Sequence, residues 1–141
     1  MTSVVIDSSA TLGLTLLDES STTAEAAAVA MRNGAQVFAP AHWCIEVANG
    51  ILMAERRKRL TPADAGAALN YVRRLPVTID DETINHAFAE ISALARLHGL
   101  TAYDAAYLEL AIRRRAALAT LDGDLRRVAV SIGVPLISPE D

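Results

Sequence analysis

Apolar positions along the chain change their period several times. Val4-Val5-Ile6 is a β-branched run without alternation, as in a strand buried on both faces, and it stops at Asp7-Ser8-Ser9. Val37-Phe38-Ala39 before Pro40, Pro76-Val77-Thr78-Ile79, Ala117-Leu118-Ala119-Thr120 and Val134-Pro135-Leu136-Ile137 are further short strand candidates, the last moved toward an edge by its proline. Helical spacing fills the intervals. Thr11 to Leu17 begins a helix that Asp18-Glu19-Ser20-Ser21 breaks, and Thr22 with Glu25 is a capping box ahead of an alanine-rich helix ending at Asn33-Gly34. From His42 to about Arg57 the spacing predicts a helix with Cys44, Ile45, Ala48, Leu52 and Met53 directed inward. Thr61-Pro62-Ala63-Asp64 opens a helix reaching Arg73 or Arg74, and Asp80-Asp81-Glu82 supplies acidic caps for one running to His98-Gly99. Another runs from Thr101 to Arg113-Arg114-Arg115, and a short one from Leu125 to Ser131 before Gly133. Strands separated by helices predict an α/β fold: a central parallel sheet of about five short strands flanked by helices, in a single domain over residues 1–141.

Composition adds exclusions. With 52% hydrophobic and 21% charged residues the chain lies far from disordered or fibrous classes. No basic-then-apolar leader opens it, and no apolar run approaches the roughly 20 residues that cross a bilayer, so a cytoplasmic protein without a membrane partner is expected. Cys44 has no second thiol to pair with and is expected as a small core residue. The net charge of −4 argues against a general nucleic-acid binder, yet 11 of the 13 basic residues fall into four groups, at 56–59, 73–74, 113–115 and 126–127. Each group suits a solvated helix end; folded onto one side, they would line a path for a polyanion.

Asp7 stands where a strand ends, and in open α/β sheets ligands bind at the carboxyl ends of strands. Asp and Ser are also turn and N-cap residues, so this stretch alone leaves both readings open. Three other acids occur in apolar surroundings: Glu46, Asp104 and Asp122, none with a Lys or Arg within three positions. Acids are rarely buried unpartnered. Two carboxylates 4 Å apart repel by about 4 kcal/mol at the effective dielectric of a partly buried site, so a shared site would need a cation or protonation. All-oxygen coordination suits Mg²⁺ or Mn²⁺, and such a site suits phosphodiester hydrolysis. Separate structural roles compete for each acid: Thr101 with Asp104 matches the capping spacing of Thr61 with Asp64, Asp122 precedes Gly123 as turn residues do, and Glu46 fits an amphipathic surface. Asp124 fits a cap or the rim of a site equally well.

At these residues the chain resembles the PIN-domain family, and within it the VapC-type toxins of bacterial toxin-antitoxin pairs. The resemblance rests on Val4 to Ser9, on Glu46-Val47-Ala48-Asn49, on Thr101 to Ala111 and on Leu118 to Asp122, in that order along nearly the whole chain. It implies a metal-dependent endoribonuclease that hydrolyses RNA with metal-activated water, forms a homodimer and is inhibited by a cognate VapB-type antitoxin. Carried over residue by residue, it makes Asp7, Glu46, Asp104 and Asp122 an acidic quartet holding Mg²⁺ or Mn²⁺, with Asp7 and Asp104 as direct ligands. Ser9, Asn49, Thr101 and Thr120 become polar supports. Arg113, Arg114 and Arg115 are expected to contact the RNA backbone. Two alternatives stand beside this reading: a catalytically silent binding module of the same fold, and a phosphatase using Asp7 as nucleophile, disfavoured because Ser9 occupies the position of its second Asp.

Overall fold

β1 (Ser3–Ile6), β2 (Gln36–Ala39), β3 (Val77–Ile79) and β4 (Ala117–Ala119) form a parallel sheet of order β3-β2-β1-β4. This computed structural model describes residues 2–16 and 21–137. Val4, Val5 and Ile6 have no exposed surface, as an inner strand covered on both faces requires, and each buried side chain contributes about 1.5–3 kcal/mol. The inner place of β1 brings the carboxyl ends of β2 and β4 to either side of Asp7.

The expected fifth strand is a single parallel bridge, Leu118 to Leu136. Pro135 has no N–H to give, so pairing with β4 is limited to the Leu118 amide on the Pro135 carbonyl and the Ile137 amide on the Leu118 carbonyl.

Helices connect the strands. α1 (Ser8–Thr15) starts three residues earlier than expected because Asp7 caps it; α2 (Thr22–Arg32) is capped by Ser21, whose hydroxyl accepts the Ala24 amide. The break expected at Asp18 to Ser20 lies outside the described residues. Ala24, Ala26 and Ala27 on α2 are buried in the core.

α3 (Trp43–Arg56) is rotated relative to expectation. Trp43, Val47, Ile51 and Ala54 are its buried residues, whereas Cys44, Ile45 and Leu52 are exposed. Trp43 sets the phase, since its ring is buried and its Nε1–H donates to the Thr11 hydroxyl at 3.0 Å. α1 and α3 pack closely: a Cβ on Gly50 would meet Leu12 Cδ1 at 2.5 Å.

α4 (Pro62–Arg73) starts with Pro62 at its first position and Thr61 as cap. After β3, α5 (Thr83–His86), a π-helical turn (Ala87–Ile91) and α6 (Ser92–His98) follow, then α7 (Ala102–Arg114) and α8 (Gly123–Ile132). Asp80, expected as an acidic cap, is instead buried and receives two hydrogen bonds from Arg113, at 3.0 and 2.8 Å.

Candidate active site

Asp7 is buried at the end of β1, its amide donating to the Ala119 carbonyl of β4. Its Oδ1 accepts from the Ser9 hydroxyl at 2.7 Å and the Ala10 amide at 2.9 Å; its Oδ2 accepts from the Thr120 hydroxyl. Thr120 itself accepts the Asp122 amide at 3.0 Å, and Ser9 accepts the Leu121 amide at 2.8 Å, so one polar network joins the β1 and β4 ends. Burial outweighs these donors and pushes Asp7 up to about 6, with the charge of Asp104 adding to the rise.

Asp104 is half-buried on the first turn of α7, behind its cap Thr101, whose hydroxyl accepts the Asp104 amide at 3.1 Å. Its pKa is raised, first by burial, then by the charges of Asp122 and Glu46. Asp122 caps α8 by accepting the Leu125 amide at 2.9 Å. Glu46 comes from α3, where the Tyr107 hydroxyl donates to its Oε1. Asp104 is thus the common neighbour: its charge bears on Asp7, and those of Asp122 and Glu46 bear on it, at the carboxyl edge of the sheet. No three of them bring carboxylate oxygens within 4.8 Å of one another; among the described residues only Asp80, Asp81 and Glu82 do so. That second cluster already has the Arg113 and Arg114 guanidinium groups on Asp80, the former holding the carboxyl down at about 2.

The supports are placed unequally. Ser9 and Thr120 hold Asp7, and Thr101 starts the helix that presents Asp104. Asn49 is exposed one turn beyond Glu46. Asp124 is exposed and ion-paired with Arg127 at 3.3 Å.

The structure divides the three arginines expected to line an RNA path. Arg113 is bound into Asp80 and Glu109, the latter through Nε at 2.8 Å, so an internal network occupies its donors. Arg114 lies over the Phe38 ring at 4.5 Å. Arg115 is exposed at the end of α7 with φ 52°.

Sequence reasoning passed over two residues at the site. His42 places Nε2 at 3.4 Å from Glu46 Oε1, and Tyr107 is held protonated by burial and by the same carboxylate. Spacing carried a signal for both, since His42 precedes Glu46 by four and Tyr107 follows Asp104 by three, which places each pair on one helix face. Arg126 braces the β4 end by donating to the Thr120 carbonyl at 2.9 Å.

The donor chemistry suits a hard divalent cation: the four acids offer carboxylate oxygens alone, burial and the charges of neighbouring acids raise Asp7 and Asp104, and Arg113 and Arg126 are engaged elsewhere. A model of the PIN domain matches residues 4–131. The chain belongs to the PIN-domain family. No curated protein matches it by sequence. Among solved structures, this PIN domain is similar to PAE2754 from Pyrobaculum aerophilum, with TM-score 0.64 and 20% identity over 94% of this chain and 96% of that one. It is also similar to the sarcin-ricin loop cleaving toxin VapC20 from Mycobacterium tuberculosis, with TM-score 0.58 and 16% identity over 89% of this chain and 95% of that one. At these identities the likeness concerns the fold. No helix among the described residues is long and apolar enough to cross a membrane.

Proposed function

We propose that this PIN domain is a metal-dependent endoribonuclease, the toxin of a VapBC-type toxin-antitoxin pair, acting on RNA in the cytoplasm. The observation that supports the reading is the electrostatic coupling of Asp104 to Asp7, Glu46 and Asp122, from four separate stretches of chain, with the pKa of Asp7 and Asp104 both raised. In this reading Asp7 and Asp104 are the direct ligands of Mg²⁺ or Mn²⁺, and Glu46 and Asp122 complete the set. When bound, the cation supplies charge to offset that of a scissile phosphate and acidifies water. Ser9 and Thr120 fix both oxygens of Asp7, so its orientation is set before any ligand arrives. Thr101 and the first turn of α7 do the same for Asp104.

A homodimer and a VapB-type antitoxin complete the proposal. Its support is the family resemblance together with apolar surface: Ile45 is 76% exposed, and Trp43, Val47, Leu69, Val72 and Ile79 line a groove between α3, α4 and β3.

The test is cleavage of a mixed structured RNA pool by purified protein with Mg²⁺, with Mn²⁺ and with chelator, beside Asp7→Asn. We expect metal-dependent cleavage that the variant loses by about two orders of magnitude or more, and twice the chain mass in light scattering. Equal cleavage by the variant would remove Asp7 from the mechanism. Absence of both cleavage and metal binding in the wild type would favour a silent binding module.

A further inference from the structure

Tyr107 lies on α7 one turn beyond Asp104, with its ring in the core and only 1% of its surface exposed. Its hydroxyl reaches out of that core and donates to Glu46 Oε1. His42, one turn before Glu46 on α3, brings Nε2 to 3.4 Å from the same oxygen. The His42 ring packs edge-on against Tyr107, centroids 5.1 Å apart, and its Nε2 also lies 3.1 Å from the Tyr103 carbonyl. Glutamate has three side-chain torsions and loses considerable freedom when held in one rotamer. Left alone beside Asp104, a half-buried carboxylate on this helix would swing outward, because water screens like-charge repulsion. Both contacts fall on Oε1, which leaves Oε2 for a cation.

We propose that Tyr107 is a positioning residue that, with His42 behind it, locks Glu46 in the rotamer needed to complete the metal site. The inference rests on the ribonuclease reading. Tyr107 touches neither the cation nor the RNA; it acts through Glu46. It also joins the two halves of the site, because the helix that presents Asp104 carries the donor that fixes the acid on α3.

Tyr107→Phe removes the hydroxyl and keeps the buried ring. We expect its circular dichroism and its melting temperature in chelator to match the wild type. Mn²⁺ affinity, read by calorimetry without RNA, should fall about tenfold. The Mn²⁺ concentration for half-maximal cleavage should rise by the same factor, with the rate at saturating Mn²⁺ near that of the wild type. In a Glu46→Gln background, Tyr107→Phe should cost no further affinity, since the carboxylate through which it acts is gone. Wild-type Mn²⁺ affinity in the single variant, or losses that add in the double variant, would overturn the inference and leave the ribonuclease reading standing. A wild type that neither binds Mn²⁺ nor cuts RNA would overturn both.

Discussion

Two donors on Oδ1 and one on Oδ2 leave Asp7 well hydrogen-bonded, yet burial still carries its pKa from 3.8 up to about 6. The folded chain therefore holds this proton to a higher pH than the unfolded chain. Its contribution to stability is full below about pH 4 and is lost as pH rises through 6, about 3 kcal/mol in all. Asn at position 7 stays neutral and still offers an oxygen to the Ala10 amide. In chelator, Asp7→Asn should melt above the wild type at pH 7.5, with the gap closing toward pH 4; a variant less stable at pH 7.5 would contradict this account. Capping a helix and acting on a neighbouring carboxylate are compatible at this scale. Asp7 caps α1 and faces Asp104, and Asp122 caps α8 while its charge acts on Asp104. Spacing set a cap and a shared charge side by side, because it carries no distance between carboxylates from separate stretches of chain.

An ion pair invisible along the chain ties α7 to the end of β3. Arg113 near the end of α7 meets Asp80 just after β3, a separation of 33 residues that no local pattern reports. Because that guanidinium holds the Asp80 carboxyl at about 2, below its ordinary 3.8, the pair stabilises fully above about pH 4 and less as pH falls toward 2. Asp80→Asn should cost about 2–4 kcal/mol at pH 7 in urea denaturation, since Arg113 keeps Glu109 and only a long contact to the exposed Glu82, at 3.9 Å, and should flatten the acid limb of the stability profile. An unchanged midpoint would mean that the network is dispensable. The phase of α3 shows why element-level reading went only partway. Its apolar residues lie on more than one face, so a 3.6-residue period accommodates Ile45, Ala48 and Leu52 as readily as Trp43, Val47 and Ile51. The Trp43 bond to Thr11 chooses between them, and Thr11 belongs to another helix.

Over the whole molecule the alternation of strand and helix was enough to give a parallel α/β sheet, and it misjudged only the proline-bearing last segment. Charge distribution was less legible, because consecutive arginines part company on folding. Arg113 is internal while Arg115 is exposed at a positive φ, a conformation that glycine adopts without strain. Replacing all three would therefore mix unfolding with lost attraction, whereas Arg115→Gly keeps the fold. If Arg115 contacts the RNA backbone, cleavage by this variant should lose less with added salt than the wild type does; an unaltered salt slope would place the RNA on another face.

The Asp7 amide is tied to β4 inside the sheet, whereas Asp122 sits on an exposed turn at the start of α8. Opening of backbone structure is graded, with frayed helix ends parting long before inner strands. The candidate ligands thus differ in lability as well as in position: Asp122 can withdraw with one unwound turn while Asp7 remains until the sheet itself comes apart. Disassembly of the site would be stepwise, leaving a partial set of carboxylates on an otherwise folded chain.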